Sequence, residues 1–250
     1  MVVVTVAGLL RSASEAMEVI GVPWGTFEAW FSDTWQPGEH IACIAPTGGG
    51  KSTFVVRLLQ GRRYVLAIDP KGEDSTLTKS GFQRIKSWPP PDQVRKDIAD
   101  GKDVRLIVGG GIRTPADWDH LERTVGQVLD GAFTEGGWTV FMDELQIGAQ
   151  MMGHSRRIQR NLVGARDKHV SMITAYQAPS WVPTAASRQA KWLAVWPTRD
   201  LDVIKSLAAK AGRPRQEMEA LLREMPDYHV AVIGTNPRHP VVITHPPALD

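Results

Sequence analysis

The sequence predicts an α/β protein with a mostly parallel central sheet and helices on both of its faces. Two observations carry this expectation. Short apolar runs alternate with longer amphipathic stretches along most of the chain, the order that builds a parallel sheet from strand–helix units. One of those runs, 41–45, stops at a glycine-rich turn and passes directly into a helical pattern. With 250 residues, 42% of them hydrophobic and 22% charged, the chain has the length and composition for one large domain with a sizeable core. Residues 1–38 are expected to form an N-terminal extension packed on that core, and 39–250 the main domain. No repeat, low-complexity segment or internal boundary interrupts it.

The first residues are apolar, without a basic leader, and the run is too short to span a bilayer. Residues 9–20 have the pattern of a helix closed by Gly21 and Pro23. Between Trp24 and Gly38 lie Trp24, Phe27, Trp30, Phe31 and Trp35, of which Phe27, Trp30 and Phe31 share one face of a short helix. Packing against the main domain is the plain explanation of that stripe; contact with a partner or an adenine is the functional one.

From Ala45 to Ser52 the residues fit [A/G]-x-x-x-x-G-K-[S/T], the phosphate-binding loop pattern, in strand–loop–helix context. Gly48, Gly49 and Gly50 let backbone N–H groups close around β- and γ-phosphates, which a Cβ would obstruct. The helix that follows, with Phe54, Val55, Leu58 and Leu59, adds the positive end of its dipole. Lys51 neutralises phosphate charge, and the Ser52 hydroxyl is placed for Mg²⁺. Pro46, Thr47 and Thr53 complete the expected nucleotide-binding segment. The bland alternative is a glycine-rich turn with a chance lysine, which leaves the full pattern unexplained.

Further strands are expected at 63–69, 82–88 and 103–108, with a helix at 91–100. Thr114, Pro115 and Asp117 make a helix start, an N-cap followed by proline at the first position and an acid in the first turn. That helix carries Trp118, Leu121, Val125, Val128 and Leu129 and is expected to end near Gly131. Residues 138–142 form an apolar strand that delivers Asp143 and Glu144. This acidic pair is expected to complete a hydrolytic nucleotide site; the bland alternative is a strand end capped by two exposed acids. Asp143 orients Mg²⁺ and its waters, and Glu144 polarises the water that attacks the γ-phosphate. A glutamate after the aspartate favours hydrolysis over phosphoryl transfer to a metabolite.

A basic helix at 155–165 follows, with Arg156, Arg157 and Arg160 on one arc and Ile158, Leu162 and Ala165 opposite. The next strand, 170–175, ends at Gln177, where a polar group can sense the γ-phosphate. Strands at 191–196, 228–233 and 241–244, the last two as a hairpin or edge pair, and helices at 201–211 and 216–225 finish the chain. Leu201, Ile204, Leu207, Ala208 and Ala211 form the inward face of the first of these helices.

Four stretches, APTGGGKST, AIDPKGE, VFMDE and GARDKHVSMITAYQAPS, give a chain that resembles the FtsK/HerA superfamily of ring-forming translocases. Its size is similar to that of the minimal viral genome-packaging ATPases of that group. The likeness spans about residues 39–235. YQAP at 176–179 departs from the Thr-Gln-Arg-Pro usual after the sensor strand. The resemblance implies a RecA-like core, with the Gln177 strand between the phosphate-loop strand and the Asp143 strand. It also implies ATP as substrate, a homo-oligomeric ring, a hexamer, and double-stranded DNA as the polymer moved. A docking protein on a capsid or membrane is a further expected partner. Because phosphoryl transfer develops charge that Lys51 and Mg²⁺ cover only in part, an arginine from a neighbouring subunit is expected to complete the site. Arg166 is first choice, since the family places an arginine before its sensor strand, and Arg160 second.

The net charge is only +2, so any nucleic-acid surface must be local. The single Cys43 cannot pair within the chain, which favours a reducing, cytoplasmic setting; the resemblance to viral packaging ATPases implies a host cytoplasm or a virion. No run has membrane-spanning length. The rival function is a nucleotide-gated assembly or regulatory ATPase acting on protein partners; a metabolite kinase stands third.

Overall fold

Strict alternation within each strand decides the layers of this protein. The computed structural model describes residues 17–72, 75–164, 166–178, 182–236 and 239–249. Its strands are β1 (Val19–Gly21), β2 (His40–Ile44), β3 (Tyr64–Ile68), β4 (Gln83–Arg84), β5 (Val104–Val108), β6 (Thr139–Met142), β7 (Ser171–Tyr176), β8 (Ala190–Val195), β9 (Val230–Gly234) and β10 (Val241–Thr244). They join in one sheet of order β1-β10-β9-β8-β2-β7-β6-β3-β5-β4. All pairings are parallel except those of β9 with β8 and β10.

Successive side chains of a strand point to opposite faces, and here both faces are apolar. Along β2, Ile41 and Cys43 enter one core while Ala42 and Ile44 enter the other. Phe141 and Ile173 likewise oppose Val140, Met142 and Met172. Near-continuous apolar runs of this kind are what a parallel sheet covered on both sides requires.

The helices are α1 (Trp24–Thr34), α2 (Lys51–Gln60), α3 (Ser75–Lys79), α4 (Asp92–Ala99), α5 (Pro115–Glu135), α6 (Ser155–Gly164), α7 (Thr184–Arg188), α8 (Leu201–Ala211) and α9 (Arg215–Glu224). Helices α1, α2 and α3 cover the face that holds Phe141. Helices α4 to α9 cover the other. The aromatic stripe of α1 is a packing device. Phe27 lies 6.0 Å and Trp24 5.9 Å from Phe54 of α2, and Phe31 meets Trp192 of β8 edge-on at 5.3 Å.

Four expectations need correction. The helix expected at 9–20 gives way at Val19–Gly21 to β1, which pairs in parallel with β10; residues 9–16 lie outside those described. The strand expected at 82–88 shrinks to two residues. Helix α5 passes through Gly131 and ends at Glu135. A Cβ at Gly131 would overlap the Trp88 indole, so that glycine makes room for a tryptophan and does not end a helix. Leu201, placed inward, is 45% exposed, and Val203 is buried instead.

Candidate active site

Strand β2 ends at the centre of the sheet, and the chain then turns over its edge at residues 45–50. Gly48 (φ 78°) and Gly50 (φ 90°) adopt left-handed backbone that side chains with a Cβ resist. Gly50 is the N-cap of α2 and supplies no side-chain cap. The first N–H groups of α2 are therefore left for a ligand that can accept them, and the helix dipole favours an anion there. Below the loop lies Trp196, wholly buried, with Cδ1 3.4 Å from where a Cβ on Gly49 would stand.

The loop forms one wall of a cleft of about 490 Å³. Pro46, Thr47, Gly48, Gly49, Gly50, Lys51, Ser52 and Thr53 all line it, as do Asp143, Glu144 and Gln177. Ladder extensions place the last three and align β8 beside them. The Asp143 N–H donates to Ile68 O at 3.0 Å, fixing Asp143 at the end of β6. The Ala45 N–H donates to Tyr176 O and the Trp196 N–H to Ile44 O, so β7 and β8 flank the loop at the same edge.

Within the cleft the Lys51 ammonium donates to Asp143 Oδ1. Glu144 sits in left-handed backbone, φ 50°, a conformation that costs about 1 kcal/mol for a residue with a Cβ. Its carboxylate accepts from Lys71 Nζ at 2.6 Å. Gln177 Nε2 donates to Thr47 Oγ1 at 3.0 Å, tying the end of β7 to the loop. Lys71, Asp69 and Gln146 are cleft residues to which sequence reasoning assigned no role. The signal for Lys71 was present: it stands in the DPKGE stretch directly after β3, the neighbour of β6. Glu73 of that stretch lies outside the described residues.

The two arginines expected to complete the site do not line this cleft. Arg160 pairs with Asp130 of α5 and lies 4.8 Å from the Phe133 ring centre. Arg157 shares the same carboxylate at 3.1 Å. Burial would raise the Asp130 carboxyl, but the two guanidiniums outweigh it and hold the group below its ordinary range. Arg166 is exposed at the opposite edge of the sheet, its carbonyl packed against Gly38 just before β2.

A strand–phosphate loop–helix unit at the centre of a mostly parallel sheet, with an acidic pair two strands away, defines the P-loop NTPase fold, here in the RecA-like order with β7 between β2 and β6. The DNA-packaging ATPase B204 of Sulfolobus Turreted Icosahedral Virus is similar to this chain with a TM-score of 0.59 and 16% identity, over 86% of this chain and 100% of its own. B204 of Sulfolobus turreted icosahedral virus 2, solved in complex with AMPPCP, gives 0.57 and 15% over 85% and 100%. VirB4 of Thermoanaerobacter pseudethanolicus gives 0.56 and 11% over 84% and 89%. At these identities the likeness is one of fold. No protein-family model matches the chain, and no curated protein sequence matches it.

Proposed function

We propose that this protein is an ATP-hydrolysing, ring-forming motor that moves or packages double-stranded DNA. The observation that carries the hydrolytic part is a single cleft that gathers the phosphate loop, an adjacent Asp–Glu pair and a strand-end glutamine. On this reading the uncapped N–H groups of α2 and Lys51 take the phosphates, with Lys51 exchanging the Asp143 carboxylate for phosphate oxygens. Ser52 and Asp143 bring hard oxygen donors into the same cleft, a set that fits Mg²⁺. When bound, that ion neutralises charge on the phosphate oxygens. Glu144 is the general base that orients and deprotonates the attacking water, once its Lys71 contact opens. Gln177, bonded to Thr47, links the state of the loop to β7.

The likeness in fold to a DNA-packaging ATPase supports DNA as the polymer; a hexameric ring as the assembly and a capsid or membrane protein as the dock belong to the same proposal. A host cytoplasm or virion is the matching location. Among the described residues no helix is long and apolar enough to cross a membrane. Arg166, or Arg160 in its place, would act on a neighbouring subunit's nucleotide, since both lie away from this subunit's cleft.

One observation favours a second reading, an ATPase that acts on protein partners: Arg157 and Arg160 of the basic helix are already tied to Asp130. ATP hydrolysis measured with and without duplex DNA, beside a sizing measurement, separates the two. The DNA reading expects stimulation that falls steeply between about 50 and 200 mM salt, because phosphate contacts release counterions. Hydrolysis indifferent to DNA at low salt would leave the protein-directed reading.

A further inference from the structure

Tyr228 is a large aromatic residue left 58% exposed. Among the described residues it is also one of three other than glycine held at positive φ, here 62°; Glu144 is another. It occupies the tip of a turn in which the His229 N–H donates to Pro226 O at 3.2 Å. Asn or Gly would sit there without strain. A tyrosine in that place calls for a reason, and its position supplies one. Tyr228 precedes β9, which runs antiparallel to β8, so it emerges at the same sheet edge as the phosphate loop. A Cβ at Gly50 would stand 3.5 Å from the Tyr228 ring at Cδ1. The ring therefore packs against the residue that caps α2 and lines the cleft. On the same side, Trp196 Nε1 is buried without a partner, 3.9 Å from that point.

The sheet order gives the cleft a direction. Glu144, Asp143 and Gln177 follow β6 and β7, on one side of β2; Tyr228 stands on the other, beyond β8. A triphosphate laid along the loop with its reacting end toward Glu144 would extend its other end past Gly50 toward Tyr228, which stands just outside the lining of the cleft. We propose that the Tyr228 ring is the platform on which the nucleobase stacks. The inference rests on the cleft being a nucleoside triphosphate site. A ring face reads the π-face of a base and no hydrogen-bonding edge, so Tyr228 favours purine over pyrimidine and does not itself separate adenine from guanine. Removing the ring should weaken nucleotide binding roughly 5- to 150-fold, the range found for base–aromatic stacks.

The test compares Tyr228→Asn, which suits the left-handed turn but deletes the ring, with Tyr228→Phe, which keeps it. Affinities are measured for ATP and for inorganic tripolyphosphate, which has the phosphates and no base. Tyr228→Asn should lose ATP affinity by that factor and keep tripolyphosphate affinity, and Tyr228→Phe should match the wild type for both. Equal loss of ATP and tripolyphosphate in Tyr228→Asn would mean a damaged loop and overturn the inference, as would unchanged ATP affinity. A variant that loses only DNA stimulation would make the ring a DNA contact and overturn it too. Wild-type protein that binds neither ligand would overturn the reading of the cleft, and this inference with it.

Discussion

Lys51 and Asp143 hold each other across the mouth of the cleft, and both side chains keep some exposure, 19% and 16%. Lys51 therefore belongs to the site and not to the core. Lys51→Ala should abolish ATP binding, or cut hydrolysis by at least about 100-fold, while the melting temperature stays within a few degrees. Calorimetric titration beside a thermal melt checks both halves, and near wild-type turnover in this variant would remove Lys51 from the chemistry. Phosphate-loop residues were legible in the sequence because their chemistry is local: eight consecutive positions carry the whole pattern. The contacts of Lys71 and Tyr228 were not, although the DPKGE stretch marked the segment that carries Lys71. Each reaches the site from a loop distant in sequence from the residue it meets, Glu144 in one case and Gly50 in the other, and no spacing rule joins such pairs.

Among the elements, β2, β7 and α6 are joined by one buried histidine. His40 Nε2 donates to Leu162 O of α6 at 3.0 Å, and Nδ1 accepts the Met172 N–H of β7 at 3.0 Å. That pairing needs the neutral ring. Burial, with a smaller push from Arg166, lowers the His40 pKa from 6.5 to about 4. The unfolded chain consequently takes up its proton first on acidification, so this contribution to stability is complete above about pH 6.5 and is lost as pH falls toward 4. Melting temperatures taken from pH 7.5 to 5 should decline for the wild type and decline less for His40→Gln; parallel slopes would show that His40 does not set the acid limit.

At this scale the sequence was a good guide wherever a strand is buried on both faces, since an apolar run between turns has few other readings. It failed where a tertiary partner decides. Gly131 reads as a helix stop until Trp88 is seen packed against it. Val19–Gly21 cannot announce β1 locally, because the partner strand is β10 at the far end of the chain.

In the molecule as a whole, Arg166 lies beside Gly38, at the end of β2 opposite the phosphate loop. On the proposed ring reading, Arg166 would therefore serve a neighbouring subunit's cleft. An arginine so supplied is worth roughly 10³-fold or more in phosphoryl transfer. Arg166→Ala alone should thus be inactive, and mixing it with Lys51→Ala subunits should recover part of the hydrolysis, because some interfaces then pair an intact loop with an intact arginine. A mixture with no recovered activity, or an active monomer, would contradict assembly of the site between subunits.

Underneath ring, polymer and dock lies the claim that Glu144, next to the strand-end Asp143 and facing the loop, activates water against a bound triphosphate. The measurement that addresses it most directly is turnover of Glu144→Gln set beside its ATP affinity. The variant keeps the shape of the side chain and loses the base, so affinity should stay within a few-fold while turnover falls about 10²- to 10⁴-fold. Turnover near that of the wild type, with ATP bound, would contradict the account.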